Sequence, residues 1–303
     1  MDTKFQILFN CLGLNLNAKK NVKNKEKTEG FWKFLHFLQL FWCIFLLIFQ
    51  YFIRNELHIE NTVVGILSDE METLLPIFVN IVMLIEAWRK KALQKKLCDT
   101  LRLIDQKISS LCIYELNSKQ TINNFMNYFL GLIGVCSMIE FMIISIPKPR
   151  PFMLAILLRT SANLCNRFND FQFICYVLQI SHSLKAINNN LIKTNFSNKF
   201  RFKGIQQEVR ENNVKTLKEI LSETWRATNY INIRFGFSML CTITNHFSNL
   251  IVACFFIYFR TYRKSYQNLQ TVIVSVSFVG PPVITMSYIF YVCWKCLDEV
   301  WIA

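Results

Sequence analysis

An ionisable or amide side chain inside an apolar helix must either find a partner or line a cavity, because an unpaired polar group in hydrocarbon is expensive. Several residues of this 303-residue chain pose that question, among them Glu140, Arg159, Asn163, Asn166, Asp170, Asn245, His246 and Asn249. Groups of this kind can line a cavity or ligand path, or can pair with one another inside the bundle. Arg159, Asn163, Asn166 and Asp170 recur at steps of four, three and four, so they share one helix face. Thr242, Asn245 and Asn249 repeat at three and four, with His246 beside them. The plainer reading of both sets is structural: an ion pair within a bundle, and interhelical hydrogen bonds of the kind that Asn and Thr commonly make.

Catalysis has little to stand on. The four histidines, His36, His58, His182 and His246, belong to no H-E-x-x-H, and the chain has no nucleophile elbow and no phosphate-binding glycine loop. A single His among apolar residues makes no metal site. The Cys293/Cys296 pair is one isolated C-x-x-C with no second pair to complete a zinc site, so neither a metal nor a cofactor is expected. The eleven cysteines are scattered and none falls in an outer loop, which reads as reduced thiols used in packing.

The elements that carry these residues are six apolar stretches, at about residues 34–53, 73–88, 125–146, 151–180, 235–259 and 269–294, the second being the weakest. Each approaches the ~20 residues a helix needs to cross a bilayer. The stretches lack the alternating period of membrane strands, so helices span. Lys and Arg sort by side: 26 fall in the N-terminal arm, the second and fourth connections and the tail, against six in the other connections. Basic residues are retained in the cytosol, which places both termini inside. The net charge of +14 is therefore a topology signal, and no nucleic-acid-binding motif accompanies it. The first outer loop is acidic, with Glu56, Glu60, Asp69, Glu70 and Glu72 against Arg54. The arm has no apolar core with a cleavage site, so the first span acts as an internal signal-anchor. The one glycosylation pattern, Asn195-Phe196-Ser197, lies in a loop that this topology keeps from the glycosylation machinery.

Two cytosolic connections carry amphipathic stripes: Leu93, Leu97, Leu101, Ile104, Ile108 and Leu111, then Val214, Leu217, Leu221 and Trp225. They read as helices that bury one another in a cytosolic bundle. Alternatives are binding to anionic lipid or to calmodulin. The fourth span, at about 45 Å for 30 residues, projects beyond the ~30 Å core. Gly280-Pro281-Pro282 interrupts the sixth and should bend it. Glu140 and Arg159 lie nine and ten residues either side of Pro149 in the hairpin of the third and fourth spans, so they reach similar depths and are expected to pair.

Short motifs carry a family resemblance across nearly the whole chain. Ile187-Asn188-Asn189-Asn190-Leu191 resembles an L-N-x-x-L, following an aromatic-rich span. Leu217, Leu221 and Asn232-Ile233-Arg234-Phe235-Gly236 resemble recurring leucines and an N-x-x-F-G. Cys296-Leu297-Asp298-Glu299-Val300 resembles the start of a C-x-x-E-A segment. In this order they resemble the insect gustatory receptors of the insect chemoreceptor superfamily. The resemblance implies seven helices inverted relative to G-protein-coupled receptors, a tetrameric ligand-gated cation channel, a tastant pocket in the outer half and a cytosolic tetramer-holding bundle. It makes Glu140, Arg159, Asn163, Asn245 and Asn249 the pocket candidates by helical position, with no family motif marking them. The family's T-Y-h-h-h-h-h-Q-F pore helix, h being apolar, has no counterpart before Ala303.

The expectation is an all-α, polytopic membrane helical bundle with six transmembrane helices, cytosolic helical extensions and the N-terminus inside. Residues 1–33 form a cytosolic arm and residues 34–303 a chemoreceptor-like transmembrane domain. The expected role is a plasma-membrane chemoreceptor subunit for small tastants, truncated relative to channel-forming relatives, in a homo- or hetero-tetramer. A non-conducting modulatory subunit and a small-molecule transporter are the alternatives; two related halves with matching broken helices, which would mark a transporter, are not evident. Reversing the charge of Glu140 or of Arg159 alone should lower surface expression, and reversing both should restore it. Surface biotinylation of the three variants reads the outcome, and absence of rescue dismisses the pair.

Overall fold

A helix satisfies its own backbone groups, so a sequence of long apolar stretches broken by few glycines folds into long helices. The computed structural model describes residues 25–57, 63–111, 124, 127–135, 138, 150–196, 205–262 and 269–302, and among these every regular element is helical. They are α1 (Lys25–Leu57), α2 (Val63–Arg89), α3 (Lys91–Ser110), α4 (Arg150–Phe196), α5 (Ile205–Tyr262) and α6 (Leu269–Ile302), with a further helical stretch at 127–135. Two of these stretches are long and apolar enough to cross a membrane by length and composition, Gly30–Phe52 and Glu211–Phe255.

Several boundaries differ from the sequence expectation. The second helix starts at Val63, so Asp69, Glu70 and Glu72 are helical residues and not a loop. The basic stripe and the fifth apolar stretch are one 58-residue helix, α5, and α4 runs 47 residues, well past 180. Each lacks an internal proline, and helix propagation costs little once begun. α6, by contrast, continues through Pro281 and Pro282, both buried. Two missing N–H groups there leave carbonyls one turn earlier without their usual donors.

The helices contribute to two compact units. The first takes in α1, α2, the 128–135 stretch, α4 up to Phe171, α5 from Phe237 and α6 up to Tyr288. Its α1–α2 seam packs Cys43, Leu46, Ile77, Leu84 and Ala162, with Leu40, Leu47 and Ile81 against them. Asn80 Nδ2 lies 3.2 Å from Cys43 Sγ in that seam, and Trp88 meets Phe37 edge-on at 4.8 Å. The opposite side of α1 exposes Phe34, Phe41, Trp42, Phe45, Ile48 and Phe52. A helix with one apolar face packed and the other apolar and bare suits lipid, since water would penalise so large a patch. Phe129 stacks on Phe171 at 4.9 Å, which ties the 127–135 stretch to α4.

The second unit comprises α3 from Ala92, α4 from Gln172, α5 up to Gly236 and α6 from Ile289. The first stripe behaves as its spacing requires: Leu97, Leu101 and Ile104 are buried, while Leu93 and Ile108 are half-buried. The second does not. Leu217 is buried, but Val214, Leu221 and Trp225 are exposed; the face that packs is Leu217, Ile220, Thr224, Ala227 and Ile231. Both sets follow helical steps, and the packed one includes Thr224, whose hydroxyl is satisfied by the Ile220 carbonyl at 2.8 Å. A polar residue that bonds its own helix can occupy a core face, and an apolar count alone overlooks it. α3 and α5 are also joined by Lys107 Nζ and Glu219 Oε2 at 2.8 Å, which holds the exposed Glu219 carboxyl below its ordinary value.

Leu97 is fully enclosed and Leu103 is 39% exposed, six residues further along the same helix. Leu97→Ala should cost about 2–5 kcal/mol through the cavity it leaves, and Leu103→Ala under about 1 kcal/mol. Thermal unfolding of the purified protein in detergent measures the difference.

Candidate functional site

Helical geometry puts residues three, four and seven apart on one stripe, and α4 within the first unit carries such a stripe of polar groups. Asn163 is half-buried, and Asn166, Arg167, Asn169 and Asp170 are buried. Facing it, α5 buries Ser238, Thr242, Asn245, His246 and Asn249. The two helices are tied by a hydrogen bond of 2.8 Å between His246 Nε2 and Asp170 Oδ2, with Asp170 fully enclosed and His246 5% exposed. One proton sits between a carboxylate and an imidazole that are both removed from water. Such a pair is tolerated only because each group satisfies the other.

Further contacts fix the surrounding side chains. Asn166 Nδ2 donates to the Pro76 carbonyl of α2 at 3.3 Å. Thr242 Oγ1 donates to the Ser238 carbonyl of its own helix at 2.9 Å and also lies 3.9 Å from Met83 Sδ of α2. Asn169 Nδ2 lies 4.0 Å from Met239 Sδ. Helices α2, α4 and α5 thus share one polar seam. On α2, the buried Glu86 pairs with Lys90 at 2.7 Å.

The seam is rich in groups without protein partners. Among the described residues, Asn245 is 1% exposed and neither atom of its amide meets a hydrogen-bonding partner; Asp170 Oδ1, Asn166 Oδ1 and Asn169 Oδ1 are likewise unmatched. An unpaired buried polar atom costs about 1–3 kcal/mol, so these four side chains are a costly arrangement on two facing helices. Most of the unmatched atoms are acceptors, which favours partners that bring N–H or O–H groups.

The sequence candidates divide accordingly. Asn245 and Asn249 are buried on α5, and Asn163 is half-buried on α4 two turns from Asp170. Arg159 lies on the backbone of α4, with its side chain outside the described set, and Glu140 lies outside the described residues. The link between α4 and α5 is His246 with Asp170, two residues that sequence reasoning placed among polar neighbours without pairing them. A signal was present: Asp170 is the one carboxylate of the 151–180 stretch and His246 the one histidine of 235–259, ten and eleven residues from the inner ends of those stretches.

In the second unit, the motif residues meet. Asn188 Nδ2 donates to the Glu299 carbonyl at 2.9 Å and to its Oε2 at 3.2 Å, which joins the L-N-x-x-L-like segment to the C-x-x-E-like segment. Phe235 of the N-x-x-F-G-like segment is fully buried, with its ring 5.7 Å from that of Tyr176 and 5.9 Å from that of Phe173. The Tyr176 hydroxyl accepts from Gln94 Nε2 at 2.7 Å and lies 3.6 Å from Cys98 Sγ. These short motifs are the packing joints of α3, α4, α5 and α6. Burial raises the Cys98 thiol, and burial with Cys293 and Glu299 nearby pushes Cys296 up to about 11. Both are inert thiols at neutral pH, and among the described residues no cysteine is in a disulfide.

A long-helix bundle with a bare apolar face, a buried polar seam and motif residues at its packing joints agrees with the family comparison. Residues 8–302 match the 7tm chemosensory receptor family profile, while no curated protein matches the chain. That family is a receptor family and not an enzyme family, in keeping with the absence of catalytic motifs from the sequence. On a match covering nearly its full length, the chain belongs to the 7tm chemosensory receptor family.

Proposed function

We propose that the chain is a gustatory-type chemoreceptor subunit whose small-molecule tastant binds in the α4–α5 seam, and that binding biases a cation channel assembled with other receptor subunits. The observation that carries this reading is Asn245, enclosed with both amide atoms unmatched among the described residues, next to the His246–Asp170 pair. A site that keeps such a group must gain from it elsewhere, and donation and acceptance to a ligand is the gain available to a receptor. Asn249 and Asn163 extend the same seam on its two helices, and Arg159 with Glu140 completes the proposed set. The reading places the protein in the plasma membrane, with six spans and the N-terminus and basic loops cytosolic, an orientation that the Lys and Arg distribution supports. Assembly is as a homo- or hetero-tetramer.

A modulatory subunit that acts through a complete receptor is the second reading. It is favoured by Val214, Leu221 and Trp225, a helical stripe of the second unit left 43–76% exposed and suited to a protein partner. A transporter would give substrate uptake without current.

Expression in a calcium-reporting cell line, alone and with a second receptor, against a panel of sugars, alkaloids and apolar organics separates these readings. Asn245→Leu should raise the half-maximal concentration about tenfold, equivalent to about 1.4 kcal/mol, and should leave surface expression intact. The same substitution should raise the thermal midpoint, because it replaces an unmatched buried amide with a hydrocarbon of similar size. A lower midpoint together with an unchanged response would remove Asn245 from the site.

A further inference from the structure

The ends of α4 and α6 bring three basic residues to one level. Asn188 bonds to Glu299, so the two helices lie abreast at that pair. The spans read from the sequence run in the same direction here, which sets residue 184 beside Lys295 and puts His182 and Lys185 on either side of it. Lys185 is exposed, and His182 and Lys295 are half-buried. No carboxylate bridges any of the three among the described residues. The acidic groups facing this region, Asp298 and Glu299, sit about one turn further along α6, and Glu299 is held by Asn188. Burial, and then the neighbouring Lys295 and Lys185, lower the His182 pKa from its ordinary value.

The surface beside the cluster is aromatic. Trp294 is 61% exposed, and Tyr291, 49% exposed, has its ring 6.4 Å from that of Trp294. His182 and Lys185 follow the expected end of the fourth span at 180, and Lys295 follows the end of the sixth at 294. Tyr and Trp settle at the headgroup level of a bilayer, where Lys side chains reach the phosphates and carry their stems along apolar surface. Unbridged cations next to exposed aromatic rings at a cytosolic membrane edge thus have one complementary occupant, an anionic phospholipid of the inner leaflet.

We propose that His182, Lys185 and Lys295 form a headgroup site for an anionic phospholipid, with Trp294 and Tyr291 packing on its glycerol and upper acyl region. Bound lipid would relieve the repulsion between Lys185 and Lys295, take a hydrogen bond from His182 and brace α4 against α6. The proposal rests on the cytosolic placement of these helix ends and not on any tastant.

The test uses the purified full chain in nanodiscs of phosphatidylcholine, with and without phosphatidylserine, followed by thermal unfolding. Phosphatidylserine should raise the midpoint of the wild-type protein. The triple variant His182→Gln, Lys185→Gln, Lys295→Gln should lose most of that shift and keep the wild-type midpoint in phosphatidylcholine, and Lys185→Arg with Lys295→Arg should retain it. No shift for the wild type, or a full shift in the triple variant, would overturn the site. An equal shift from inorganic phosphate in phosphatidylcholine discs would assign the bases to a soluble anion and overturn the lipid. If the triple variant fails to fold, the single Lys185→Gln, at an exposed position, decides: an undiminished shift overturns the proposal. Loss of the tastant response bears on the seam and leaves these outcomes unaffected.

Discussion

The hydrogen bond between Asp170 and His246 is the constraint on which the rest of the first unit depends. A carboxylate with no solvent exposure has few acceptable surroundings, and the cost of stranding it there is about 3–5 kcal/mol. The two helices must therefore meet at one depth and one rotation. Asp170 faces His246, and on the sequence reading the fourth and fifth spans run in opposite directions. From that register the polar seam follows. Asn166 and Asn163 fall one and two turns to one side of the pair, and Asn249 falls one turn to the same side.

The second unit is held differently. Its joints are aromatic and amide contacts: Phe235 against Tyr176 and Phe173, Gln94 against Tyr176, and Asn188 against Glu299. Each joins residues from separate helices through close-packed rings or a hydrogen bond, which suits a scaffold. The short family-like motifs lie at these joints. What these motifs specify is helix packing.

Much of the helical framework was legible because helical period and apolar length are local properties. The buried Leu97, Leu101 and Ile104 followed directly from steps of three and four. The second stripe was misread by a rotation of the helix: Leu221 and Trp225 suggested the buried face, whereas Thr224 and Ile220 occupy it, because a hydroxyl that bonds its own backbone behaves as an apolar group. The acidic loop was misread because Asp69, Glu70 and Glu72 look like loop residues until α2 is seen to begin at Val63. Of the candidate site, the amides were legible as polar residues in apolar helices. The pairing of Asp170 with His246 was not, since it depends on which helices adjoin, and one sequence does not state that. Equal depth from the helix ends was the only clue.

The most direct test is a double-mutant cycle on Asp170→Leu and His246→Leu, read by thermal unfolding of the purified chain in lipid nanodiscs. Each single substitution should destabilise the protein by about 3–5 kcal/mol, because the surviving partner is left buried and unpaired. The double variant should be more stable than either single one, since two apolar groups then fill the seam. Singles whose effects are small and simply additive would show that the pair does not hold α4 to α5, and the account of the seam would be wrong.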